Sequence, residues 1–279
     1  MFKSEKCTEN SSISCYDLES LLIIANALNN IGYKININVK NKKTLYNKIK
    51  KILNEISNCK DEECWLKING LIDILTEDQL KKLKANFKPQ IPISWDKNKD
   101  EWLSTVDIDK ILNRYKYTDK NFHSFGAIPI DSLKDDVCTN DLCDFDLNKF
   151  ISEDKYKIGI VYNTEKHNED GQHWIGLYLD LKGLNFNNNP CIYFFDSYGE
   201  KPPEQVNKFS SEVISQGKDL NIEIDYAYND KQHQSRGGEC GVYCLHFLTY
   251  MKNGGNFDKY ISEKKDDDYM HKFRYYFYQ

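Results

Sequence analysis

Three apolar runs, at residues 156–162, 174–179 and 192–195, stand between polar turns, and each is too short for a helix of ordinary length. They read as buried strands of one sheet. Residues 125–130 form another strand pattern, and Ile222, Ile224 and Tyr226 alternate as a further one. Pro202-Pro203 opens a helix carrying Val206, Phe209, Val213 and Ile214, and the run from Val242 to Leu248 reads as a second helix. This alternation predicts an α+β domain: a mixed sheet of about five strands with the 242–248 helix packed on it.

The chemistry gathers where these elements begin and end. In Gln234-Ser235-Arg236-Gly237-Gly238-Glu239-Cys240-Gly241, a cysteine between glycines opens the helix. Unpaired N–H groups and the helix dipole at such an end favour an anion, which suits a nucleophilic thiolate. His173 opens the strand His173-Trp174-Ile175-Gly176, and Asp196 ends the strand Ile192-Tyr193-Phe194-Phe195. Neighbouring strands can place this pair side by side, giving an imidazole base and a carboxylate that holds its tautomer. Gln234, six residues before Cys240, can offer an amide donor to a developing oxyanion, beside the Cys240 N–H. The order His, Asp, Gln, Cys differs from the papain-like order Cys, His, Asn.

This ordered set resembles the SUMO-protease (ubiquitin-like-protein protease) family of cysteine peptidases. It is similar in particular to the polyprotein-processing proteases of large cytoplasmic DNA viruses of the African swine fever virus type. The likeness rests on the His-Trp strand, the Phe195-Asp196-Ser197-Tyr198-Gly199 turn with Pro202-Pro203, the His233-Gln234 to Glu239-Cys240-Gly241 loop, and the Met270-His271-Lys272-Phe273-Arg274 tail. It runs from about residue 95 to 279. The resemblance implies a papain-like, adenovirus-protease-like core. It also implies cleavage after Gly-Gly in Gly-Gly-Xaa sites of viral structural polyproteins during virion maturation. In the family the ring after the catalytic histidine, here Trp174, roofs a narrow tunnel that admits only residues without side chains. Trp102 matches the family's Trp-Leu segment beside the substrate channel, and Gly238 and Glu239 fall in the substrate-binding loop. The viral relatives carry Asn where this chain has Asp196. The place of action so implied is the host cytoplasm, in viral factories, and the virion. Two other activities use such a constellation: deconjugation of SUMO or ubiquitin, and acyl transfer from acetyl-CoA. The latter wants a basic phosphate-binding cluster, for which the sequence has no obvious candidate.

Each role has a rival in sequence. Cys244 lies one turn further along the helix, away from the favourable dipole end. His167 sits in an open loop, His233 in the loop before Cys240, and His246 on the wrong face of the nucleophile's helix. Asp180 is the alternative orienting carboxylate and Gln232 the alternative donor.

Residues 1–92 read as a helical amino-terminal domain that docks substrate or shields the cleft, and 93–279 as the catalytic domain, with Lys88-Pro89-Gln90-Ile91-Pro92 between them. Residues 1–13 are polar. Helices are predicted from Ser14 to Gly32, from Thr44 onward, over 62–75, and after the capping box Thr76-Glu77-Asp78-Gln79. Trp102 and Leu103 lead into a helix capped by Ser104. Residues 132–155 read as an acidic, polar insertion with one short amphipathic piece.

A net charge of −5 provides no whole-chain basic field for nucleic acid. No apolar run of about 18 residues spans a membrane, and the first residues lack a signal core. The nine cysteines read as thiols. Cys59 with Cys64 and Cys138 with Cys143 could supply four thiolates to zinc, but the spacing is wider than the usual knuckle and the pairs fall in different domains, so no metal and no organic cofactor is expected. Either pair could also close as a local disulfide, unexpected in a reducing cytosol. The expected partner is a polypeptide substrate.

Overall fold

Strand alternation sets the architecture. The structure is a computed structural model that describes residue 7 and residues 13–38, 41–133, 137–138, 142–185 and 188–279 of the chain. The chain divides into two compact units, Met1–Gln90 with Gln279, and Ile91–Tyr278.

The first unit packs three helices, α1 (Leu18–Asn30), α2 (Lys42–Ile56) and α3 (Glu77–Ala85). The Asp17 side chain caps α1 by accepting the Ser20 N–H at 2.6 Å. Thr76 and Gln79 form both bonds of the capping box on α3. Leu21, Ile24 and Leu28 of α1, Leu45, Ile49 and Leu53 of α2, and Leu83 of α3 share a core with Tyr16, Trp65 and Phe87. The helix expected over 62–75 does not form. Instead there are two 3₁₀ turns, Cys64–Lys67 and Ile72–Ile74, because Gly70 lies between them at φ +81° and Ile68 is extended. The polar stretch 1–13 lies outside the described residues apart from Cys7 and Ile13.

The second unit is built on a sheet of five strands in chain order: β1 (Phe122–Pro129), β2 (Lys157–Asn163), β3 (Trp174–Asp180), β4 (Cys191–Phe195) and β5 (Asp225–Tyr228). The outer pairs β1–β2 and β4–β5 are parallel, and the inner pairs are antiparallel. The sheet is therefore mixed, and both faces are covered. Period-two alternation sorts the side chains. Trp174, Tyr178, Tyr193 and Phe195 face one core with α4 (Thr105–Thr118), α7 (Cys240–Lys252) and α9 (Asp267–Phe277). Ile175, Leu177, Ile192 and Phe194 face the other, with α5 (Leu147–Ser152) and α6 (Glu204–Asp219). A short α8 (Phe257–Ser262) joins the first face through Phe257 and Tyr260. Ser104 caps α4 in a reciprocal box with Asp107. The strand expected through Ile222 begins only at Asp225, because the Ile222 N–H closes α6 on the Gly217 carbonyl at 2.8 Å. The stretch at 132–155 is less of an insertion than its polarity suggests: Leu142, Phe145, Leu147 and Phe150 all enter the second core. Residues 134–136 and 139–141 of it lie outside the described residues.

Six cysteines depart from the expectation of thiols. Cys7–Cys15, Cys59–Cys64 and Cys138–Cys143 are disulfides, with Cα atoms 5.0, 5.4 and 6.2 Å apart, within the reach of such a bridge. Each Cys-x(4)-Cys pair closes on itself, so neither offers thiolates to a shared zinc. Cys191, Cys240 and Cys244 are free and buried. Among the described residues no helix is long and apolar enough to cross a membrane.

Candidate active site

Antiparallel pairing of β3 and β4 in the register Gly176↔Phe195 brings the start of β3 beside the end of β4. His173 and Asp196 are the next residues outward, and His173 Nε2 lies 2.9 Å from Asp196 Oδ1. The His173 backbone is held by its carbonyl, which accepts the Thr164 N–H at 2.9 Å. Asp196 is nearly buried, and its Oδ1 also accepts the Tyr198 N–H at 2.7 Å. The Tyr198 ring leans on the imidazole, centroids 4.8 Å apart.

Cys240 reaches the same edge because α7 lies close on β3. A Cβ at Gly176 would stand 3.0 Å from Phe247 Cδ1, so a larger residue would push that ring off by a few tenths of an ångström and glycine lets the helix lie this close. Gly241 has the same role beneath Leu103 and Trp174, whose atoms lie 3.0 and 3.3 Å from where its Cβ would be. As the first residue of α7, Cys240 has an N–H with no intrahelical carbonyl to bond.

With Nε2 turned to Asp196, the other imidazole nitrogen is left for Cys240, which lies near enough to act on the charge of the ring. Burial works against a charge on His173, but the interactions with Asp196 and Cys240 outweigh it and raise the imidazole to about 9. Two of the rival histidines behave oppositely. Burial and nearby lysines depress His233 and His246 to about 4. His233 sits edge-on to Phe195, and His246 Nδ1 faces the Tyr260 hydroxyl at 2.9 Å. His167 pairs with Asp131 at 2.9 Å in its own loop. Asp180 accepts the N–H groups of Lys182 and Asn185 at the far end of β3. Burial raises Cys244 well above an ordinary thiol and Cys191 to about 12, so both stay protonated.

Gln234 is fully buried, and its amide is oriented from both ends. Oε1 accepts the Ser197 hydroxyl at 2.6 Å, and Nε2 donates to the Arg236 carbonyl. An amide nitrogen has two hydrogens, so one remains for another acceptor. Gln232 donates its own amide to the Gln234 carbonyl at 2.9 Å.

Trp102 is 46% exposed, and its ring lies 3.7 Å from where a Cβ on Gly238 would stand. Gly238 itself is at φ +104°. Trp174 is buried and donates Nε1–H to the Leu103 carbonyl at 2.9 Å, tying the Trp102-Leu103 segment to the sheet. The Glu239 carboxylate is committed inside the fold. Arg274 Nη2 donates to its Oε2 at 2.9 Å, and His271 Nδ1 meets its Oε1 at 2.9 Å.

Several residues that matter here had no role in the sequence reading. Asn229 holds the Asp196 backbone from both sides, accepting its N–H at 2.9 Å and donating to its carbonyl at 2.8 Å. Arg274 is wholly buried, donates to the Lys99 and Glu101 carbonyls at 3.1 and 2.6 Å, and lies over Trp95 at 4.7 Å. The tail motif around Arg274 was the available signal. Ser197, directly after Asp196, was another, whereas Asn229 had none. Beside the site is a cavity of about 320 Å³ lined by Asp100, Arg236, Glu239, Asp267, Asp268 and His271, with Cys240 outside it. Ligand atoms of Asp100, Glu239 and His271 lie within 4.8 Å of one another, and are the described group that could approach a metal ion.

Residues 167–278 match the C-terminal catalytic domain of the Ulp1 protease family. A protein of Acanthamoeba polyphaga mimivirus named as a thiol protease is 32% identical over 164 residues, covering 58% of this chain and 51% of its own length. The chain thus spans about half the length of that relative. A cysteine protease of African swine fever virus is 25% identical over 208 residues, covering 71% of this chain and 73% of the viral protein. A crystal structure of an African swine fever virus protease has the same fold, with a TM-score of 0.66 at 19% identity over 100% of this chain and 97% of that one.

Proposed function

Taking the chain as a cysteine peptidase that carries the Ulp1-family catalytic domain, we propose that it is an endopeptidase cutting after Gly-Gly in viral structural polyproteins. The observation that carries this reading is the His173 imidazole, 2.9 Å from Asp196 and raised in part by the nearby Cys240 at the head of α7. Cys240 Sγ attacks the carbonyl carbon of the second glycine, and its proton passes to His173. The carbonyl oxygen takes the displaced electron pair and is received by the Cys240 N–H and the unused N–H of Gln234. Collapse of this adduct breaks the C–N bond, and His173 returns the proton to the departing amine. Water, deprotonated by His173, then hydrolyses the thioester and restores the thiol.

Gly-Gly selectivity is the finer part of the proposal. It is supported by the exposed Trp102 ring standing over Gly238 and by a nucleophile only 2% exposed, which favours a substrate segment without side chains. Action during virion maturation, in the host cytoplasm and the virion, extends the family resemblance. So does a docking or shielding role for residues 1–92.

A panel of Gly-Gly-Xaa peptides, assayed with wild type and Cys240→Ser, tests the reading. Cleavage after the second glycine by wild type alone is expected. Silence on every peptide, together with processing of a SUMO or ubiquitin precursor, would replace it with deconjugation.

A further inference from the structure

We propose that Asp267, on the carboxy-terminal helix α9, is a positioning residue for the oxyanion donor Gln234. The inference rests on the peptidase reading above. Residues 234–239 run between β5 and α7 with no strand ladder to hold them, and they include two glycines, Gly237 with open space around its Cα and Gly238 at positive φ. Such a segment keeps one geometry only if its backbone groups are bonded elsewhere.

The bonds come from α9. Asp267 Oδ2 accepts the N–H groups of both Ser235 and Arg236, each at 3.0 Å. The Arg236 carbonyl in turn accepts Gln234 Nε2–H. Arg236 is therefore gripped by its N–H and aims the Gln234 amide through its C=O. Ser197 fixes the opposite end of that amide, and the Ser197 carbonyl accepts the N–H groups of His233 and Gln234, each at 2.8 Å. The direction of the remaining Gln234 N–H, the one available to an oxyanion, follows from where Asp267 holds Arg236. Asp267 is itself well placed. It is 6% exposed, it lies in the first turn of α9 where the dipole favours a carboxylate, and its Oδ1 accepts the Tyr243 hydroxyl at 3.1 Å. Arg236 also pairs with Asp268, on the surface. In this role Asp267 acts through Gln234.

Two rates separate this role from a merely structural one. Hydrolysis of a Gly-Gly peptide needs the oxyanion donors. Alkylation of Cys240 by iodoacetamide displaces iodide from a saturated carbon and needs only the thiolate. In Asp267→Ala we expect kcat to fall about 10- to 100-fold, less than loss of a donor outright, with KM within about threefold and alkylation within about twofold. The fall should vanish in a Gln234→Ala background, because two residues acting through one group are not additive. Asp267→Asn keeps an oxygen for the two N–H groups and should lose less, in the same pattern, so it carries the test if the alanine variant does not fold. Parallel loss of kcat and alkylation, an unchanged kcat in Asp267→Ala, or an undiminished effect in the Gln234→Ala background would overturn the inference alone. A wild type that is alkylated but cuts no peptide overturns the peptidase reading with it.

Discussion

The two sides of the site are held in place by different physics. His173 and Asp196 sit at the ends of adjacent antiparallel strands, so the β3–β4 ladder carries them to the same edge. Gln234, Gly238 and Glu239 sit in a loop without a ladder, and side chains from α9 hold that loop by reaching its backbone and its one buried carboxylate. The base side therefore inherits its geometry from local pattern and strand register. The oxyanion side depends on a few polar contacts between residues far apart in sequence. Damage to the first should abolish chemistry while leaving the fold, and damage to the second should cost stability or turnover in proportion to the contact removed.

Four substitutions sharpen that contrast. His173→Ala should reduce kcat by a factor on the order of 10⁴ or more, as for other base knock-outs, with a melting temperature close to wild type. A collapse in stability would mean the base side is not held by its strands. Arg274→Ala should act the other way. It strands the buried Glu239 carboxylate and should cost about 3–5 kcal/mol of stability, read by urea unfolding; a cost below about 1 kcal/mol would remove α9 as the anchor of the loop. Gln234→Ala should lower kcat by about 10²–10³ with KM little changed, measured by steady-state kinetics on the cleaved peptide. The smallest effect is in pH. Because the folded imidazole is raised to about 9, His173 lends stability that is complete below its unfolded value near 6.5 and is lost as pH climbs through about 9. The imidazolium needed to protonate the leaving amine disappears over the same range, so kcat/KM should decline there. Asp196→Asn should move that limb to lower pH, and a limb that does not move would detach Asp196 from the imidazole.

Much of the fold was legible because it follows from local rules. Thr76 and Ser104 announce their helices by capping chemistry, and β3 and β4 by unbroken apolar runs. The helix expected over 62–75 failed where Gly70 offered a left-handed turn that apolar periodicity does not register. The cysteine pairs misled in a different way, since spacing alone does not distinguish thiols from a closed bridge, and only proximity of the Cα atoms does. At the site, His173, Asp196, Cys240 and Gln234 could be singled out because each begins or ends an element or stands at a fixed distance from one. Asn229 and Asp267 could not. Their contacts span 33 and 32 residues, and nothing in a neighbouring sequence window marks them. Glu239 illustrates the same limit. The resemblance places it in the substrate-binding loop, and its carboxylate is engaged by an arginine that only the folded chain brings near.

The central claim is that Cys240, activated by His173, is the group that attacks a glycyl carbonyl. The most direct measurement is to treat the protein with a peptide ending in a Gly-Gly vinyl methyl ester and to locate the adduct by mass spectrometry of its fragments. A single adduct on Cys240, lost or greatly slowed in His173→Ala, is the predicted result. An adduct on Cys191 or Cys244, or an unmodified Cys240 in folded protein, would contradict it.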